Sequence, residues 1–286
     1  MIKYIDTHCH IQFNAYKNDS EEVIRRTLKA EVGMITVGTQ KDTSRRAVDW
    51  AEKIGSGLWA AVGLHPTHLF EEEIQEEVEG EEVAYKTRPE DFDADFYRGL
   101  CRSPKVVAVG EVGLDYWHRP KDVPAEVFRG KQIETFEKIV SFAKEVNRPL
   151  ILHVRPSSWE TADAYDDLCA ILKSADWRGV LHCYTGSWAI AERFLDMGYY
   201  IGFTGIITFP PAKVAPILEA VKKSPADRIL SETDAPYLSP VPYRGKRNEP
   251  VYVKHVVAKI AELRGADPEK TAAQLLVNAE NLFGIK

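Results

Sequence analysis

Eight short apolar runs, most of them separated by helix-like stretches of ten or more residues, constrain this chain more than any single motif. The runs are Lys3 to Asp6, Gly33 to Gly38, Leu58 to Leu64, Val106 to Glu111, Leu150 to Val154, Gly179 to Cys183, Tyr199 to Phe203 and Arg228 to Glu232. Most are continuous rather than alternating, as strands covered on both faces are. Helix starts stand in the gaps at Asn18-Asp19-Ser20, Asp42-Thr43 and Asp267-Pro268, where a short polar side chain can cap the first turn. The pattern predicts an α/β fold, a TIM (β/α)8 barrel. The runner-up, an open doubly wound sheet, lacks the Gly-rich phosphate loop after its first strand. The chain has 286 residues, and no linker, low-complexity tract or fixed-period repeat divides it, so the expectation is one barrel domain over 1–286.

One stretch breaks the rhythm. From Glu71 to Asp95 the chain reads EEEIQEEVEGEEVAYKTRPEDFDAD, longer and more acidic than a barrel crossover requires. It is read as an insertion at about 71–97, a solvated surface helix leaving the C-terminal mouth after the third strand. An acidic overhang there repels long polyanions, and the net charge of −6 likewise disfavours sequence-blind wrapping of nucleic acid. No stretch approaches the ~20 apolar residues that span a bilayer, and the opening MIKYIDTHCH develops no signal-peptide core. Four scattered cysteines form no CxxC pair. A soluble cytoplasmic protein with reduced thiols is expected.

Five of the eight runs finish on a His, Glu or Asp. The first ends in Asp6-Thr7-His8-Cys9-His10, and strand alternation turns His8 and His10 to one face. The fourth delivers Glu111, the fifth His153, the sixth His182, and the eighth Glu232 and Asp234. Each alone is an ordinary strand-end polar residue. Together, at one end of a barrel, the four imidazoles with the two carboxylates of Glu111 and Asp234 form a ring suited to one or two divalent ions.

The segments DTHCH, GLHP, GEVGLDY, ILH, HCYTGS and ETDAPYLSP, followed by VPYRGKRNEP, resemble in order and spacing the TatD family of metal-dependent hydrolases. The resemblance runs from the first strand to the last helix and implies a metallo-dependent hydrolase barrel with two divalent ions, Mg²⁺, Zn²⁺ or Mn²⁺. His8, His10 and Asp234 would hold one, His153 and His182 the other, with Glu111 bridging. It further implies a deoxyribonuclease acting as a 3′-5′ exonuclease on DNA or a nucleotide-like phosphodiester, short or single-stranded rather than long duplex. Asp234 and Glu111 are the expected catalytic residues, Asp234 also carrying a proton to the leaving group. This chain departs from the family pattern at Val154-Arg155-Pro156-Ser157, where relatives place a small hydroxyl residue before the arginine, and in the length of its acidic insertion.

For substrate contacts, Tyr243-Arg244-Gly245-Lys246-Arg247-Asn248 follows the eighth strand, where barrels place phosphate loops. Arg244 and Arg247 are candidates because a guanidinium fork fits phosphate oxygens. His65 and Arg155 are expected to line the same mouth, and Asp115 to orient a ligand imidazole. His68, His118 and His255 receive no role, and Trp117, Trp159 and Trp188 are read as core or rim packing. Two other functions stay open: ester or amide hydrolysis, including deacylation of D-aminoacyl-tRNA, and a metal-holding scaffold without turnover.

Overall fold

The structure, a computed structural model, describes residues 1–78 and 81–285. Its main sheet has eight parallel strands, β1 (Tyr4–Cys9), β2 (Val32–Val37), β3 (Leu58–Val62), β6 (Val106–Asp115), β7 (Leu150–Arg155), β8 (Gly179–Leu181), β9 (Tyr200–Phe203) and β10 (Ile229–Ser231), hydrogen-bonded in that order. Cys9 bridges Ala235, the His10 amide donates to Ala235 O at 2.7 Å, and the Asp234 amide donates to His8 O at 2.9 Å. These bonds bring the two edges together into a nearly closed barrel, so the expected fold holds and all eight expected runs are strands.

Helices α1 (Ser20–Lys29), α2 (Lys41–Ile54), α4 (Ala125–Glu145), α5 (Asp163–Ala175), α6 (Trp188–Asp196) and α7 (Pro211–Lys223) fill the crossovers, with α3 (Ala94–Leu100) preceding β6 and α8 (Val253–Arg264) and α9 (Pro268–Phe283) closing the chain. The Asp267 side chain accepts from the Lys270 amide at 2.9 Å, as its position before Pro268 predicts. No helix among the described residues is long and apolar enough to cross a membrane.

Two apolar clusters share the strands. Ile5, Ile35, Trp59, Val107, Ile151, Val180, Tyr200 and Leu230, one from every barrel strand, join Ala279, Leu282, Phe283 and Ile285 of the C-terminal segment. Only the barrel interior can receive a residue from all eight strands, so α9 caps its lower end. Residues of the alternate set, among them Met34, Leu58, Leu150, Leu181 and Ile201, pack outward under the surrounding helices.

Alternation alone does not place the upper residues of β1. Carried on from Ile5, it would turn Thr7 and Cys9 inward. The β1–β2 register shifts between Asp6 and Cys9, Cys9 joins the outer cluster, and His8 and His10 point into the barrel. This irregularity re-aims the side chains by one position, a common use of a bulge beside a site. The β6–β7 register shifts in the same way, between Val109 and Val112, across Glu111.

The acidic insertion is where the expectation fails. In place of a surface helix, β4 (Glu73–Val78) and β5 (Glu81–Lys86) form an antiparallel hairpin, and helix resumes only at α3, capped by Asp93. Glu79 and Gly80, which fell within the expected helix, lie outside the described residues. The sequence explains the outcome. Clustered glutamates at helical i, i+4 spacing repel, while Ile74, Val78, Val83 and Tyr85 straddle an Glu-Gly pair in a pattern a hairpin accommodates. The hairpin is tied at its base, where the Thr87 amide donates to Glu72 O at 2.8 Å and the Thr87 hydroxyl to Phe70 O at 2.7 Å.

Candidate metal centre

At the C-terminal mouth, seven side chains converge. His8 and His10 approach with Nε2 atoms 3.2 Å apart. Glu111 Oε2 lies 3.4 Å from His8 Nε2 and 3.7 Å from His10 Nε2, while Asp234 Oδ1 lies 3.4 Å from His10 Nε2 and 3.6 Å from His182 Nε2. The other Glu111 oxygen sits 3.0 Å from His153 Nδ1, 3.4 Å from His65 Nε2 and 4.0 Å from His182 Nε2. All six expected ligands are therefore together, and Glu111 stands between two groups of them. His65, expected only at the rim, reaches the cluster itself.

Neighbouring oxygens fix most of the rings. His10 Nδ1 faces Val37 O at 2.7 Å, and His182 Nδ1 faces Glu232 Oε2 at 2.8 Å. Each Nδ1 is thus the donor, which leaves the Nε2 lone pair aimed at the centre. Glu232 also accepts from the Cys183 amide at 3.0 Å. Asp115 Oδ2 lies 3.0 Å from His153 Nε2, the orienting contact expected of it, and 2.8 Å from His118 Nδ1.

A second carboxylate, Asp6, is fully buried and knits the first strand to the last. It accepts from the His8 amide at 3.2 Å, the Thr233 amide at 2.8 Å and the Thr233 hydroxyl at 2.5 Å. The next residue, Asp234, is held at φ 58°, a left-handed conformation that costs a non-glycine residue about 1–3 kcal/mol and is found where surrounding structure over-determines it. Glycine makes room at two points. A Cβ on Gly202 would come within 2.3 Å of Glu232 Oε1, and one on Gly113, at φ 142°, within 2.0 Å of His153 O.

The electrostatics match the geometry. Burial raises the cost of charge on Glu111, yet the imidazoles of His65 and His8 hold it well below the usual carboxylate range. Asp115 is likewise low, because hydrogen bonds from His118 and His153 outweigh its burial. Burial opposes charge on His153 and His182 as well, but Asp115 with Glu111, and Glu232 with Asp234, raise both to about 9. His8 falls to about 4 through burial and the neighbouring His182. Nitrogen lone pairs and buried carboxylates facing one point are what a divalent cation stabilises. Three overlapping sets, His8/Glu111/His182, His8/His10/Asp234 and His65/Glu111/His153, each bring their donor atoms within 4.8 Å. The residues therefore fit metal ions. Cys183 neighbours His182 and Asp234, but burial and Asp234 push its thiol well up, which leaves it a poor ligand beside imidazoles.

The expected substrate residues separate. Arg155 ends β7 with its guanidinium 5.0 Å from the Trp117 ring, and Arg244 lies 4.2 Å from the Phe209 ring. Arg247, expected at a phosphate, is instead a brace: it donates to Asp19 at 2.9 and 2.6 Å and to Ala15 O at 2.7 Å, and its guanidinium stacks on Tyr16. Asp19 at the start of α1 is its partner, and a bidentate pair of this kind satisfies the fork that a phosphate would need. Asn248, fully buried, donates to Thr233 O at 2.9 Å and fastens this loop behind Asp234. Sequence reading gave Glu232 no task and His118 no role. Glu232 was detectable as the residue two after Leu230 on the interior face; the His118 contact had no signal, since it depends on how the loop after β6 turns.

An inward ring of imidazoles and carboxylates at the mouth of a parallel barrel defines a metal-dependent hydrolase. The family model for TatD related DNase matches residues 5–284, and the chain belongs to the TatD family. It is 39% identical to the metal-dependent hydrolase YabD of Bacillus subtilis (strain 168), covering 98% of both chains. It is 33% identical to the 3′-5′ ssDNA/RNA exonuclease TatD of Erwinia amylovora over 98% of this chain and 99% of that one. Among solved structures, the TatD homologue YJJV of Escherichia coli K12 superposes with a TM-score of 0.80 at 31% identity, covering 99% of each chain.

Proposed function

We propose that this chain is a two-metal phosphodiesterase that removes nucleotides from the 3′ end of single-stranded DNA or RNA in the cytoplasm. The convergence of His8, His10, Glu111, His153, His182 and Asp234 on one centre carries the reading, and relatives named as 3′-5′ ssDNA/RNA exonucleases supply the substrate. His8, His10 and Asp234 would hold one divalent ion, His153 and His182 the other, with Glu111 between them and His65 beside it. Mg²⁺, Zn²⁺ and Mn²⁺ all suit this donor set. Bound ions supply an activated water and charge neutralisation for the phosphoryl oxygens.

The chain's own groups do the rest. Glu232 and the Val37 carbonyl fix two imidazoles in the tautomer that offers Nε2. Asp234, whose carboxylate is ionised and aimed inward, takes the proton from the attacking water and passes it to the leaving 3′ oxygen, a contribution of roughly 10²- to 10⁴-fold. His65 sits next to the same reacting face, and Arg244 and Arg155 at the rim bind flanking phosphates. The acidic hairpin beside this mouth favours short single strands over long duplex. Four unpaired cysteines suit a reducing compartment.

The test is cleavage of one oligonucleotide labelled in turn at its 3′ and 5′ ends, after chelation and after restoring Mg²⁺ or Mn²⁺. Metal-dependent release of the 3′ label as mononucleotide, with a 5′-labelled ladder shortening stepwise, is the expected result. No cleavage of any oligonucleotide beside metal-dependent hydrolysis of an aryl ester would overturn the phosphodiester reading in favour of acyl chemistry.

A further inference from the structure

Among the described residues, the aromatic side chains left exposed are two tryptophans, and they touch. Trp117 is 41% and Trp159 66% exposed, with ring centroids 5.6 Å apart at 51°. They stand on the loops after β6 and β7, the strands that deliver Glu111 and His153. The Trp117 amide donates to Asp115 Oδ1 at 3.0 Å, and the other oxygen of that carboxylate lies 3.0 Å from His153 Nε2. Arg155, two residues beyond His153, holds its guanidinium 5.0 Å from the Trp117 ring. The Trp159 loop is pinned at its base, where Ser157 donates through its amide at 3.1 Å and its hydroxyl at 2.5 Å to Asp163.

Single exposed apolar residues need no explanation. A contiguous pair of large rings, held by a fixed loop and joined to a cation at the edge of a hydrolytic site, is different. It offers flat π faces on the loops that follow the strands delivering Glu111 and His153, and a positive charge at the end of the second of those strands. Those are the two features that bind single-stranded nucleic acid without sequence preference, stacking for the base and a cation for its phosphate.

We infer that Trp117 and Trp159, with Arg155, form a base-stacking subsite that seats the nucleobase next to the scissile bond. The inference rests on the nuclease reading and gives that site a substrate feature: an unpaired base. A base inside a duplex cannot lie on this platform, so the pair selects single strands. Arg155 binds the phosphate of the same nucleotide while its guanidinium stays on the Trp117 face.

The experiment uses the metal-loaded enzyme and two oligomers of equal length, oligo-dT and one with abasic residues at the positions nearest its 3′ end. Trp117→Ala and Trp159→Ala should each raise KM for oligo-dT about tenfold with kcat nearly kept. The wild type should show a similar rise on the abasic oligomer, and the variants should barely distinguish the two substrates. Trp117→Phe, which keeps an aromatic face, should recover most of the loss. Both residues are exposed, so the variants should melt with the wild type. Fluorescence anisotropy of a 5′-fluorescein phosphorothioate oligo-dT that resists cleavage reads binding separately. Wild-type KM values for both oligomers in both alanine variants would overturn the subsite while leaving the nuclease reading intact. Oligonucleotide binding by anisotropy that the alanine variants lose, in an enzyme that cleaves no oligonucleotide, would keep the platform and overturn the nuclease reading. A change of oligomeric state in the variants with unchanged oligonucleotide binding would mark the pair as a contact between copies and overturn the inference.

Discussion

The two ends of this barrel are built from the same strands and behave as opposites. At the lower end Ile5, Ile35, Ile151, Val180 and Leu230 meet the C-terminal helix in an apolar plug. A few residues on, β7, β8 and β10 lead to His153, which meets Glu111, and to His182, which meets Glu232 and Asp234. The lower end gains stability from burial, at about 25 cal/mol per Å² of apolar surface. The upper end keeps carboxylates and imidazoles away from water, which is stable only while each has its partner. The comparison teaches that ligand placement in β7, β8 and β10 is inherited from the interior face that packs the floor, and that in β1 an irregularity re-aims the side chains where that inheritance would turn the wrong residues inward.

Substitutions at the two ends should therefore separate turnover from stability. The largest effect belongs to Glu111→Ala, which removes the shared carboxylate: cleavage by the folded, metal-reloaded variant should fall by at least about 10³-fold. A variant within tenfold of wild-type activity would break the distinction from the catalytic side. Ile35→Ala, in a strand that contributes no ligand, should cost about 2–5 kcal/mol in denaturant titration with kcat unchanged at temperatures where the variant is folded. Loss of kcat in the folded variant would mean that the floor does more than support.

Gly202→Ala sharpens the boundary between the ends. The added methyl displaces Glu232, frees His182 Nδ1, and should weaken metal affinity about 10- to 100-fold, measured by competition with a chelator. Affinity equal to wild type would show that Glu232 does not orient His182.

The smallest expected effect is in pH dependence. In the metal-stripped protein His153 and His182, raised to about 9, contribute stability that is complete below the ordinary imidazole value of about 6.5 and is lost as pH rises through 9. His8 and His68, lowered to about 4 and about 3, act oppositely, costing stability as pH falls below 6.5. Melting temperature should peak near pH 6.5 and drop by a few degrees towards pH 9.5. Metal loading, which requires neutral imidazoles, should move the peak upward. A stripped protein that grows steadily more stable from pH 6.5 to 9.5 would contradict this assignment.

Much of this architecture was legible because buried parallel strands leave continuous apolar runs, and the last polar residue of each run marks the mouth. His153 after Ile151 and His182 after Val180 follow from that pattern alone. The inward aim of His8 and His10 was read correctly from their spacing, but the irregularity that produces it was not visible, because register belongs to the pairing of two strands rather than to one. The insertion was misread as helix because charge density outweighed the short apolar pattern around Glu79-Gly80. The pairing of Arg247 with Asp19 was not legible, because the two lie 228 residues apart. Tertiary contact settles such pairings, and a single chain carries no local trace of them.

The most direct test of the central claim is metal stoichiometry by elemental analysis of the purified protein, after stripping and reloading, for wild type and Glu111→Ala side by side. A centre with Glu111 between two sets of ligands predicts about two equivalents of divalent metal per chain in the wild type, with at least one lost in the variant. A wild type that binds no metal, or a variant that keeps both equivalents, would contradict it.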